Sequence, residues 1–341
     1  MDRTVAIGVA FVLLGGAFQG SFALPMKRMA GWQWENTWLV YSVVAMAALP
    51  WLLVVATVPH PVEVLKLTST AILVKVALFG FGWGVGSTLF GLGIDRVGIG
   101  LGFAVILGVT ASLGSLLPLL ILNPERLLTS QGSALIAGLI LVLGGIVLCS
   151  IAGGRRERET AADTKRPGRS HFWLGLGICI ASGVFSPMLN FSFVFGKDLQ
   201  VLTLKFGARP AGASNLIWAL ALSAGFLANA GYCVYLLRKN RTSGLFLAKT
   251  VPSVYWLGSF LMGLFWFAGI VVYGVGAAGL GALGGVIGWP LFMAMIIITA
   301  NVWGALAGEW KGSARTTYAL SSAGIAVLLL AIGIISRGSP S

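Results

Sequence analysis

Charge is scarce in this chain of 341 residues. Asp, Glu, Lys and Arg together make up 10% of it, against about 25% in an ordinary soluble domain. Too few ionised side chains exist to cover a water-facing surface. Acidic groups are the scarcest, ten against 23 Lys and Arg, so few carboxylates are available for acid–base chemistry. Two histidines and three cysteines, with no CxxC and no HExxH, exclude the usual zinc and thiol chemistries. His60 and His171 stand at the edges of apolar runs, where a solvated histidine is the ordinary case. An intramembrane enzyme would need a nucleophile with its base, a metal motif or paired membrane carboxylates, and a channel filter a ring of repeated charged or carbonyl-rich residues. Neither pattern occurs, and no metal or organic cofactor is expected.

What the chain has is apolar length. Its hydrophobic fraction is 57% and it carries 48 glycines, small residues that let helices approach closely in lipid. The formal charge of +13 does not point to nucleic acid, because the basic residues lie in short segments between apolar runs, where they orient a membrane chain. The bilayer is the expected partner. Cys149, Cys179 and Cys233 each fall inside an apolar stretch and read as packing residues. The first 25 residues resemble a secretory signal, but the apolar run is long and no small-residue cleavage site follows, so they read as the first helix.

Runs of spanning length occur at about Val5–Leu24, Asn36–Val58, Ala71–Ile94, Ile99–Leu122 and Ser133–Ala152. A second set occurs at about Phe172–Phe195, Ala211–Leu237, Val251–Val275, Gly281–Leu306 and Thr316–Ile335. The expected fold is an all-α membrane protein of ten transmembrane helices. Residues 1–152 form a first five-helix repeat, residues 153–171 a charged cytoplasmic linker loop, and residues 172–341 a second five-helix repeat. Phe90-Gly91-Leu92-Gly93, Gly98 and Gly102 recur at constant offset as Tyr273-Gly274-Val275-Gly276, Gly281 and Gly285, with a fainter echo of Gly16-Ala17-Phe18-Gln19 in Gly183-Val184-Phe185-Ser186. An odd number of helices per half makes such a repeat inverted, with the binding site near mid-membrane. Fifteen of the 23 Lys and Arg fall in the odd-numbered loops and eight elsewhere, which places those loops in the cytoplasm and both termini on the other side.

Among the carboxylates, Glu35 stands out in Trp32-Gln33-Trp34-Glu35-Asn36-Thr37-Trp38, at the cytoplasmic entrance of the second helix, near Lys27 and Arg28. Burial among indoles favours the neutral acid and a nearby cation the carboxylate, so small movements could switch its protonation, as proton coupling requires. A plain interfacial salt bridge to Lys27 or Arg28 explains the same pattern. Glu309, beside Trp310 and Lys311, invites the same two readings, and Asp95 and Arg96 are expected to pair in a tight loop. Of the uncharged polar residues within spans, Gln19, Asn190 and Asn229 are candidates to line a wet cavity or to bond helix to helix. Trp83, Trp266 and Trp289 lie too deep for an interfacial belt, and an indole face suits the C–H face of a sugar ring; packing between glycines is the alternative.

Taken together the residues resemble the L-rhamnose/proton symporters of the drug/metabolite transporter superfamily. The likeness rests on Pro25, Lys27, Trp32, Trp34, Glu35 and Trp38 in one block, then Pro50-Trp51, Phe79-Gly80, Trp83-Gly84, Gly86 and Gly91-Leu92. The later half adds Gly183, Phe185-Ser186, Asn229, Gly231, Cys233, Ala248-Lys249, Trp266, Trp289 and Glu309-Trp310. The resemblance implies proton-coupled uptake of a small deoxysugar by alternating access across a bacterial inner membrane, with the proton as coupling ion at Glu35 or Glu309. Lys27 and Arg28 would serve as gating ion-pair partners, and Gln19, Asn190, Asn229, Trp38, Trp83, Trp266 and Trp289 as substrate contacts. Where rhamnose carriers have polar residues on the ninth helix, this chain has Ala277, Leu283 and Gly285, and its Gln19 and Asn190 replace smaller residues. The first and sixth helices are therefore expected to read the hydroxyls, with L-fucose standing beside L-rhamnose as substrate. An exporter of amino acids or other small metabolites is the alternative.

Overall fold

The computed structural model describes residues 3–160, 169–248 and 251–337, with the side chains of Lys27, Thr160 and residues 169–171 outside the description. Ten helices among the described residues are long and apolar enough to cross a membrane: Arg3–Met26, Trp34–Thr57, Thr70–Val97, Ile99–Leu122, Ser130–Glu159, Phe172–Lys205, Pro210–Asn240, Val254–Gly279, Gly281–Leu306 and Arg315–Arg337. The protein is an all-α, ten-span membrane protein. Lipid offers no partner to a backbone N–H or C=O, so each run must satisfy its own backbone as a helix. Leu52, Val55, Leu78 and Ile140 point outward, whereas Gln19, Glu35, Asn190 and Asn229 are buried, the reverse of a soluble protein.

Local chemistry sets the irregular points. In the second span a wide π-turn over Val43–Ala48 precedes Pro50. Proline has no N–H to donate and its ring crowds the preceding turn, and the wider turn accommodates both. Gly98, at φ +84°, is the single residue between the third and fourth spans. The sixth span breaks at Ser186-Pro187, resumes as Met188–Phe195 and continues as Lys197–Lys205, ten residues beyond the Phe195 expected from hydropathy. The fifth helix runs to Thr160, so the segment from Gly154, read as loop, begins helical; residues 161–168 lie outside the described residues. Asp95 and Arg96 are helical rather than in a loop, and Arg96 donates to the Leu92 carbonyl at 2.9 Å; among the described residues they form no ion pair with each other. Ala277 belongs to the end of the eighth span, not to the ninth.

The first span packs against the eighth and ninth, and the sixth against the third and fourth. The second meets the seventh, the fourth the ninth, and the fifth the tenth. The third and seventh spans approach most closely where Gly80 faces Ala221 and Gly84 faces Gly225; a Cβ on either glycine would run into the opposing backbone. This is a GxxxG contact, the means by which packing replaces the hydrophobic effect in lipid.

Candidate functional site

Glu35 occupies the first turn of the second span and is only 3% exposed. The helix N-terminus there favours a negative charge. Its Oε1 accepts from Asn240 Nδ2 at 3.0 Å and from Thr242 Oγ1 at 2.7 Å. Both donors come from the end of the seventh span, where Arg241 takes a left-handed conformation (φ 56°) that turns the chain back. Asn36 completes the junction, donating to the Thr242 carbonyl at 3.0 Å. Among the described residues the carboxylate's donors are neutral. The expected Arg28 pair is absent among the described residues: Arg28 is exposed and its cation does not reach Glu35. The Lys27 side chain, named with it, lies outside the described residues.

From Glu35 an aromatic column leads inward. Trp34, Trp38 and Tyr41 recur at i, i+4 and i+7, one face of a helix, and stack with centroids 4.9 and 4.8 Å apart. Tyr41 meets Trp266 edge-on at 6.2 Å, and Trp266 lies 5.2 Å from Trp83. Gln19 closes onto the same group, its Nε2 donating to the Trp266 carbonyl at 3.0 Å. Asn229 supports the column from the side. Its Oδ1 accepts from Trp38 Nε1 at 3.1 Å and Ser87 Oγ at 3.0 Å, while Nδ2 donates to Gly225 O at 3.1 Å. Gln19, Trp38, Trp83, Asn229 and Trp266, drawn from five spans, are therefore gathered into one cluster.

Asn190 and Trp289 stand apart from it, toward the face that carries the termini. Both amide hydrogens of Asn190 go to backbone carbonyls, Gly114 O and Gly285 O, each at 2.9 Å, and its Oδ1 accepts from Tyr273 at 2.6 Å. Trp289 donates to the Thr110 carbonyl at 3.0 Å. Tyr273 packs on Trp289 and Phe292, and Phe193 stacks parallel on Trp218 at 5.3 Å. In this conformation Asn190 is committed to protein partners and ties the fourth, sixth, eighth and ninth spans into a knot. Glu309, for its part, pairs with Arg156 at 2.8 Å, the two side chains 31% and 21% exposed. Arg156 also lies over the Trp310 ring at 5.2 Å. One turn on, Glu159 accepts from Ala314 N at 2.9 Å and Thr317 Oγ1 at 2.7 Å. The end of the fifth helix so clamps the loop between the last two spans.

Tyr41, Tyr273, Asn240 and Thr242 are not among the site residues expected from sequence. For Tyr41 the signal was present, at helical spacing from Trp34 and Trp38. For Asn240 and Thr242 there was none, since their partner lies 205 and 207 residues away.

Ten spans enclosing buried amides and indoles, with a buried carboxylate at one end, make this a multi-pass membrane protein with a polar interior. More narrowly, the chain belongs to the L-rhamnose-proton symport protein family, whose model matches residues 1–341. Among its relatives, the L-rhamnose-proton symporter of Cronobacter sakazakii is 27% identical over 99% of both chains. That of Klebsiella pneumoniae is 26% identical over the full length of both, and that of Escherichia coli 26% over 99% of both. These are transporters, and this chain is one of them rather than an enzyme.

Proposed function

We propose that this protein carries L-rhamnose, or a close 6-deoxyhexose such as L-fucose, inward across a bacterial inner membrane together with a proton. The observation that carries the reading is the buried Glu35 carboxylate, held by neutral donors at the head of the aromatic column. Protonation there neutralises a buried charge and weakens the acceptor that Asn240 and Thr242 share. The proton site and the junction between the second and seventh spans are then one device. Sugar binds against Trp266 and Trp83, with Gln19 and Trp38 at its edge and Asn229 positioning Trp38. Asn190 and Trp289 belong to the closure on the opposite side, where opening would expose their polar groups to the sugar.

The packing pattern supports an inverted repeat of residues 1–152 and 172–341. Exchanging spans one to five for six to ten turns the principal packing partnerships of the first span into others that exist: one with eight into six with three, one with nine into six with four. Rocking of the halves gives alternating access around a fixed site. Coupling needs only that sugar and proton favour the same occluded state, since by linkage each then tightens the other's binding. The partly buried Glu309–Arg156 pair is a fastening of the cytoplasmic loops. The excess of basic residues in the odd loops supports cytoplasmic odd loops and periplasmic termini.

The test is counterflow and pH-driven uptake in proteoliposomes against a panel of labelled monosaccharides and amino acids. Accumulation of a 6-deoxyhexose that follows the imposed pH gradient is expected. Amino-acid efflux with no sugar exchange would overturn the reading.

A further inference from the structure

A cavity of about 290 Å³ lies away from the transport site, between the second-to-third-span connection and the end of the sixth span. One wall is Leu67, Thr68, Ser69 and Ile72; the other is Asp198, Val201, Leu202 and Lys205. The second set has i, i+3, i+4, i+7 spacing, one face of the helix Lys197–Lys205. Its two charges are of opposite sign and stand at the ends of the groove, seven residues or about 10 Å apart. The third span begins at Thr70 and the sixth ends at Lys205, so the cavity sits where spans leave the hydrocarbon. Leu67 and Val201 are 67% and 43% exposed, apolar surface beside a polar pair. Thr68 Oγ1 is already bonded to Val64 O at 2.7 Å, which leaves the two charges and the Ser69 hydroxyl as the recognising groups.

We propose that this groove binds the headgroup of a phospholipid bearing a primary ammonium, of the phosphatidylethanolamine type. Asp198 takes the ammonium and Lys205 the phosphate, while Leu67 and Val201 meet the upper acyl chain. A primary ammonium donates hydrogen bonds to a carboxylate, whereas a trimethylammonium has none to give. A purely anionic headgroup would satisfy Lys205 and be repelled by Asp198.

The experiment is native mass spectrometry of the purified full chain titrated with phosphatidylethanolamine, phosphatidylcholine and phosphatidylglycerol of matched chains. The expected result is retention of the ethanolamine lipid over the choline lipid by about twofold to fivefold, the range of one charged pair near a surface. Asp198→Asn abolishes that preference, and Lys205→Gln lowers retention of all three phospholipids. Val201→Trp fills the groove without changing charge and removes specific retention. All three positions are exposed, and unchanged thermal unfolding confirms that the variants fold. Equal retention of ethanolamine and choline lipids, preference for the glycerol lipid, or indifference to Val201→Trp would each overturn the proposal.

Discussion

Glu35→Gln tests the central assignment because it removes the proton site while keeping the shape around it. Gln has the same length, and its amide oxygen can still accept from Asn240 Nδ2 and Thr242 Oγ1, which now bond Glu35 Oε1 at 3.0 and 2.7 Å. Those bonds lose their charge assistance, roughly the difference between a charged and a neutral hydrogen bond, about 1 kcal/mol each. Asn240 is exposed and Thr242 half-buried, so water offsets part of the loss and the fold survives. Coupling does not survive, because no group at this position gains or loses a proton. One pH unit supplies about 1.4 kcal/mol per proton, or tenfold accumulation for one proton per sugar. In proteoliposomes under a one-unit gradient, the native chain should concentrate L-rhamnose about tenfold and Glu35→Gln not at all. Counterflow, which needs no net proton movement, should persist in the variant. Glu35→Ala is the contrast: it leaves two donors without their acceptor and a void, and should lower thermal stability where Gln does not. Normal accumulation by Glu35→Gln would refute the assignment, as would a folded Glu35→Gln protein that has lost counterflow.

Two further outcomes follow from the packing. Asn190→Leu keeps the branched outline but strands the Gly114 and Gly285 carbonyls and the Tyr273 hydroxyl. The cost should be about 3–9 kcal/mol at 1–3 kcal/mol per buried unpaired group, seen as a large fall in the detergent unfolding midpoint; Tyr273→Phe should fall less, and equal effects would contradict a knot centred on Asn190. Gly80→Ala should part the third and seventh spans, because its methyl would enter the Ala221 backbone. Gly91→Ala, with nothing within 4 Å of the new Cβ, should be neutral or slightly stabilising, and similar unfolding of the two variants would show that the close approach is not needed.

The number of spans, their rough limits and the helical class were determined by sequence alone. Lipid forbids an unsatisfied backbone, so apolar length translates directly into helices. Helical spacing likewise put Trp34, Trp38 and Tyr41 on one face, because periodicity is a local property of the chain. Which span lies beside which is another matter, since one apolar helix surface suits many neighbours and hydropathy does not rank them. Only tertiary packing brought Asn240 and Thr242 to Glu35 in place of Arg28, and gave Glu309 to Arg156. Packing also divided the polar candidates, leaving Gln19 with Trp266 while drawing Asn190 and Trp289 to Tyr273. The break at Pro187 was visible as a proline, but the added turns to Lys205, and the charged groove they create, depend on the helix Pro61–Leu67 and the seventh span packed against them.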